Sequence, residues 1–201
     1  MRKIPAVAGK VSRFKIFSDG QVSNPARNFF EIFNLTPGFD IDLELLIGRY
    51  RELQRLVHPD KYAQGSDQDR RIAVQMAANI NDAFRTLKDP VERARYLLSL
   101  QAITVDDESA RQVDPEFLME QMELREALGE VRGSAQAAQK LGKIFATIDT
   151  LETQTLGALT AAFARGDAAA LRNANEQVQK LRFIKRLRSE AQEVEEQIPS
   201  N

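Results

Sequence analysis

From Leu43 to Val57 the residues Leu43, Leu46, Ile47, Tyr50, Leu53 and Val57 recur at the spacing of one helix face. The same spacing returns at Ile72, Met76, Ile80, Ala83 and Leu87, the expected buried side of a second helix. No stretch of the chain sustains period-two alternation of β-branched residues. Alanine, leucine, glutamate, glutamine and arginine dominate, so local preference agrees with the pattern. The expectation is an all-α fold in which helices bury their stripes on one another.

Punctuation divides the pattern into elements. A short helix is expected over "NFFEIFN", residues 28–34, ending before "TPG". Asp40 or Asp42 caps the next, which runs to about Val57, where Pro59 forbids continuation and pushes His58 out of the helical region. Asp67 starts the antiparallel partner, "KDP" at 88–90 stops it, and Pro90 opens a shorter helix through Leu100. Residues 101–114 are acidic, weakly patterned and read as a connector. In "DPEF" Asp114 caps, Pro115 takes the first turn and Glu116 suits the positive end of the dipole. That helix ends near Gly133, Ser134 caps the next, Gly166 ends it, and Asp167 caps a last helix to about Gln197. Short "RGS" and "RGD" corners between long helices predict an antiparallel three-helix bundle, with "RGD" a helix corner rather than an adhesion motif. The expected domains are a disordered basic tail over 1–26, a helical domain over 27–100, the connector, and the bundle over 115–201.

Composition excludes several chemistries. The 201 residues include no cysteine, which removes disulfides, thiol nucleophiles and cysteine-ligated metals. One histidine leaves a transition-metal site without its usual ligands, so no metal or cofactor is expected. A net charge of −1 gives no global field toward nucleic acid or an anionic membrane, and no apolar run is long enough to span a bilayer. The opening "MRKIPAVAGKVSRFKIF" has five basic residues and no acid before Asp19, but lacks the apolar core of a secretory signal. It is read as an upstream start or an added tail.

Two groups of residues stand out. The first is "RLVHPDKYAQGS", residues 55–66, with the chain's only histidine at His58 followed by Pro59, Asp60 and Lys61. It can be a helix stop, a His58–Asp60 catalytic dyad, or an exposed contact loop in which Pro59 fixes direction and Asp60 meets a partner's arginine. The dyad lacks an evident nucleophile, an oxyanion site and any means of excluding water. Arg51 and Arg55, four apart, project together from the preceding helix. The second group lies on the helix after Pro115. Phe117, Leu124, Leu128 and Val131 share a core stripe, while Leu118, Met119 and Met122 fall on the other side, flanked by Glu123, Glu126 and Glu130. On the last helix Val178, Leu181 and Ile184 follow the seam and Phe183 is expected to point away from it. Three apolar residues off a core stripe, two of them adaptable methionines, fit a protein-binding patch.

The order of parts resembles a J-domain followed by a bundle. The segments "FFEIFNL", "LQRLVHPDKYAQGS", "INDAFRTLKDP", "RARYLLSL", "FLMEQMELRE" and "KLRFIKRLRS" are similar to the HscB family of iron–sulfur assembly co-chaperones. The resemblance covers residues 28 to about 197 and rests on six segments in order, since HPD alone is a short match. It implies a non-enzymatic protein that stimulates the ATPase of a DnaK-type chaperone, HscA, and delivers the scaffold protein IscU to it. It further implies that His58, Pro59 and Asp60, with Arg51, Arg55 and Lys61 as basic neighbours, meet the chaperone. Leu118, Met119, Met122, Glu123, Glu126, Glu130 and Phe183 would then meet the scaffold. The basic tail departs from the bacterial pattern. Eukaryotic relatives carry a cysteine-rich segment there, which a cysteine-free chain cannot have, so the bacterial, cytoplasmic type is expected. A general J-domain co-chaperone recruiting unfolded clients is the other reading.

Overall fold

The computed structural model describes residues 28–58, 61, 66–103, 115–132, 134 and 136–198. The tail over 1–26, the connector from 104, Asp114, Pro59 and Asp60 lie outside the described residues. The elements are α1 (Phe29–Ile32), α2 (Leu43–Leu56), α3 (Asp67–Lys88), α4 (Pro90–Leu100), α5 (Pro115–Gly129), α6 (Ala137–Arg165) and α7 (Ala168–Glu196). No strand occurs among the described residues, so the all-α expectation holds.

Two compact units divide within α3. One comprises residues up to Thr36 with Glu44–Phe84; the other comprises Pro37–Leu43 with Arg85–Asn201. The second therefore includes α4, which the sequence placed with the first domain. The reason is its partner: α4 packs on α7, and the Asp89 carboxylate before α4 pairs with Lys185 of α7.

In the first unit, α1 is short and closed at both ends. Asn28 accepts from Glu31 N–H at 3.0 Å and donates to its carboxylate at 3.0 Å. At the other end Asn34, at φ 49°, permits the paired bonds Leu35 N–H to Phe30 C=O, 2.8 Å, and Asn34 N–H to Glu31 C=O, 3.0 Å. These bonds position the fully buried Phe30 and Phe33, and the Arg49 guanidinium of α2 donates to the carbonyls of Phe33 and Asn34. The rings of Tyr50 and Phe84 stack at 3.9 Å, holding α2 against α3. Beside them Tyr50 Oη donates to Asn81 Oδ1 at 3.1 Å, and Gln54 donates to the same oxygen.

Asp67 opens α3 as expected, and Ser66 caps it: Ser66 Oγ accepts from Asp69 N–H at 3.1 Å, and Asp69 accepts from Ser66 N–H at 3.1 Å and Oγ at 2.7 Å. This reciprocal box leaves Asp67 as the first helical residue. The buried stripe runs through Ala73, Ile80, Ala83 and Leu87, while Ile72 is exposed. The expected burial of Ile72 is thereby corrected: Ala73 lies seven residues before Ile80, as Ile80 does before Leu87, whereas Ile72 lies eight before Ile80, at the edge of the stripe.

In the second unit, α6 and α7 run antiparallel, and α5 packs on both. The corner between them is the "RGD" triplet. Gly166 takes φ 65° and donates its N–H to Ala162 C=O at 3.0 Å. Asp167 then caps α7, accepting from Ala169 and Ala170 N–H at 3.1 and 2.9 Å, while Arg165 reaches its other oxygen at 2.9 Å. The helix-corner reading holds. Ser134, expected to cap α6, instead accepts from Gln136 N–H at 3.2 Å in the preceding turn, and Gln136 occupies the cap position without a side-chain bond. Farther along the pair, Arg188 of α7 donates to Asp149 and Glu152 of α6 at 2.7 and 2.6 Å.

Arg93 of α4 is buried, donates to Leu87 C=O at 2.5 Å, and lies 5.0 Å from the Phe39 ring centroid. Phe39 in turn stacks on Phe163 at 5.6 Å. Burial lowers the Arg93 guanidinium's affinity for its proton, opposed by Asp89 and Asp40. Asp89 shows the opposite balance. Burial pushes its carboxyl up, but Lys185 and the N–H groups of Glu92 and Val91 outweigh that and hold it below its ordinary value.

The end of α4 carries a conformational cost. Ala102 sits at φ 58°, donating to Ser99 C=O at 3.0 Å while Ile103 donates to Leu98 C=O at 3.0 Å. An alanine in this region costs about 1–2 kcal/mol, part of which glycine gives back through its freer unfolded chain. Ala102→Gly is expected to raise stability by about 0.5–1 kcal/mol. Denaturant titration checks it, and an unchanged or lower midpoint counts against the strain.

Candidate functional site

The first group of residues surrounds the turn after α2. Val57 is buried and anchors the end of the helix; His58 follows directly and is exposed. The His58 carbonyl accepts from Lys61 N–H at 3.0 Å. Arg51, Arg55 and Lys61 are all exposed. The structure thus places four of the six expected residues on accessible positions of α2 and the turn. The Tyr50–Phe84 stack and the Gln54–Asn81 bond hold the α2–α3 pair just before this turn.

The second group is on α5, in the other unit. Leu118, Met119 and Met122 are 47%, 64% and 72% exposed, on one side of a helix whose opposite side buries Phe117 and Leu128. Glu123 and Glu126 are exposed beside them. Glu130 lies past the end of α5 and pairs with Lys140 of α6 at 3.3 Å, so its charge is partly matched within the molecule.

Phe183 overturns the expectation that it faces outward. It is 8% exposed and belongs to the core cluster with Phe117, Ile144, Ile148, Ile184 and Leu187. Its ring meets Phe117 edge-on at 5.5 Å, and the Arg125 guanidinium covers it at 5.4 Å. The wheel assumed one seam for α7, whereas α7 packs against α4, α5 and α6 and buries a wide arc that includes the adjacent Phe183 and Ile184. Lys180 lies 5.0 Å from the Phe117 centroid, completing an aromatic pair clad by two cations. Sequence reasoning missed Arg125 and Lys180. Each covers a ring on the other helix, Arg125 of α5 over Phe183 of α7 and Lys180 of α7 by Phe117 of α5, so no pattern within one helix signals them.

Among the described residues no cluster of three or more candidate metal ligands occurs. No described helix is long and apolar enough to cross a membrane.

Residues 113–192 match the family model described as the HSCB C-terminal oligomerisation domain. The co-chaperone protein HscB homologue of Shewanella sp. (strain ANA-3) is 41% identical over 169 residues, covering 84% of this chain and 97% of the relative. The homologue from Shewanella halifaxensis is 42% identical over the same length and coverage. The chain belongs to the HscB family. Among solved structures, the chaperone HscB from Vibrio cholerae is 42% identical with a TM-score of 0.78, covering 86% of this chain and 100% of that one. Human co-chaperone protein HscB is similar at 27% identity and a TM-score of 0.79, with 87% and 85% covered. The HscB-family fold, a J-domain with a C-terminal helical bundle, is therefore the fold of this chain.

The burial of Phe183 has a direct consequence. Phe183→Ala is expected to destabilise the bundle by about 3–5 kcal/mol, as for other buried phenylalanines. Leu118→Ala and Met119→Ala should each stay within about 0.5 kcal/mol of wild type. Thermal or urea unfolding of the three variants separates the cases, and a near-neutral Phe183→Ala would contradict the core assignment.

Proposed function

We propose that this HscB-family chain is a co-chaperone that stimulates the ATPase of a DnaK-type chaperone of the HscA kind and presents an IscU-type iron–sulfur scaffold to it. The observation that carries the reading is the α5 patch: Leu118, Met119 and Met122 remain exposed on a helix whose other face is well packed. Leaving such groups in water forgoes roughly 25 cal/mol for each Å² that could be buried, which is reasonable for a surface that a partner covers. Glu123 and Glu126 beside it favour a partner with basic residues, while Glu130 is already engaged by Lys140. Phe183 enters this reading from beneath, as the ring that seats α5.

His58, Pro59 and Asp60 are assigned to the chaperone contact, with Arg51, Arg55 and Lys61 supplying a basic approach. The exposure of His58, Arg51, Arg55 and Lys61 supports that part. The role is binding and activation rather than catalysis by this chain, with no cofactor and no nucleic-acid partner, and the bacterial cytoplasm is its setting.

Two variants test the division of labour. His58→Gln is expected to abolish stimulation of the chaperone ATPase while leaving stability within about 0.5 kcal/mol and scaffold affinity unchanged. Leu118→Ala combined with Met119→Ala is expected to weaken scaffold binding by about tenfold or more, while stimulation without scaffold persists. Scaffold affinity by calorimetry and scaffold-free ATPase rates read both outcomes on one preparation. Full stimulation by a folded His58→Gln variant would sink the loop assignment. Unchanged scaffold affinity in the double variant would sink the patch, and capture of unfolded peptides there instead would favour a general J-domain co-chaperone.

A further inference from the structure

The chain has no cysteine and four methionines, so all of its sulfur is thioether. Met76 is half-buried on α3, whereas Met119 and Met122 are 64% and 72% exposed, three residues apart on the same side of α5. Two exposed thioethers thus stand together in the middle of the apolar patch. An apolar contact does not require the most oxidisable apolar side chain, since leucine offers similar volume. What methionine adds is adaptability and a sulfur that can change polarity.

We infer that Met119 and Met122 form a peroxide-sensitive modification site that turns off docking on α5. The inference rests on the reading of that patch as the scaffold surface. In the reaction, a thioether sulfur lone pair attacks one oxygen of hydrogen peroxide. The O–O bond breaks as the S–O bond forms; after proton transfer the other oxygen leaves as water. Sulfur is oxidised by two electrons and the peroxide is reduced by two. The product is a methionine sulfoxide whose oxygen is a strong hydrogen-bond acceptor. Glu123 and Glu126, the exposed acidic neighbours, are acceptors too when ionised, so they offer that oxygen no donor. Arg125, the only basic residue of α5, lies over the Phe183 ring. A partner closing over the patch must then desolvate two sulfoxide oxygens that this chain's flanking carboxylates leave unmatched. The fold is spared, because neither side chain belongs to the core cluster. The switch is reversible in kind, since methionine sulfoxides are substrates for reductases.

The test treats the full-length chain with hydrogen peroxide, removes the oxidant with catalase, and only then adds an untreated IscU-type scaffold. Peptide mass spectrometry is expected to place oxygen on Met119 and Met122 before Met76. Scaffold affinity should fall about tenfold or more, with the melting temperature and scaffold-free ATPase stimulation retained. For Met119→Leu combined with Met122→Leu, the quantity read is the ratio of treated to untreated affinity, whatever its starting value. That ratio should stay near one, while Met76→Leu should still show the peroxide-dependent loss. Unimpaired binding by wild type carrying both sulfoxides overturns the inference, as does an equal loss in the double leucine variant or earlier oxidation of Met76. Failure of the underlying docking reading shows itself separately, as normal scaffold binding by the untreated Leu118→Ala, Met119→Ala variant.

Discussion

The edge-to-face contact between Phe117 and Phe183 decides which side of α5 meets water. This helix carries apolar residues on two faces, so its pattern alone allows either to turn inward. An aromatic pair contributes about 0.5–1.5 kcal/mol beyond the area it buries, and the cations Arg125 and Lys180 lie over the two rings. Leu128 and Val131 complete the inner side against residues of α6 and α7. With that side fixed, Leu118, Met119 and Met122 have no route to the core. The outer patch is thus a by-product of how firmly the inner one is held.

The proposed chaperone loop depends on a different device. Here α2 and α3 are held by one stacked pair, Tyr50 with Phe84, and by the polar trio Tyr50, Gln54 and Asn81. Hydrogen bonds are directional where apolar packing is not, so this trio fixes the register of α2 along α3 close to the turn. The buried Val57 ends the packed part of α2 one residue before the exposed His58. Rigid support and accessibility therefore meet within two residues.

Element order was legible because caps and breakers are local. Asp89, Gly166 and Asp167 act as short-range chemistry requires, and each was marked in the sequence. Where reasoning failed, the deciding partner was either unassigned or far along the chain. The start of α3 at Asp67 was legible, but the reciprocal box of Ser66 and Asp69 that closes it carried no assignment. Ile72 also fits three-and-four spacing to Met76, but the seven-residue repeat through Ile80 and Leu87 falls on Ala73, which is the buried one. Phe183 was misplaced because a wheel drawn for one neighbour cannot show that α7 has three. Glu130 was read as free acidic surface, and its Lys140 partner lies ten residues away across a turn. Of the candidate site, the exposed trio on α5 and the exposed positions around His58 could be read in advance; the shielding of Phe183 could not.

The two-residue corner at Gly166 and Asp167 also bears on how the bundle assembles. Because α6 and α7 are joined so tightly, contacts near the corner close very small loops, and even Arg188 meets Asp149 across a separation of only 39 residues. Closing such loops costs little chain entropy, and topologies rich in near-neighbour contacts fold fastest. The α6–α7 hairpin is thus expected to form the nucleus, with α5 docking onto a surface already made. Kinetic analysis of mutants along the two helices would show this as high fractional structure at Ile148 and Leu181 in the transition state, with low values at Phe117. The helix bearing the exposed patch would then be the last to join, and the first to let go under stress.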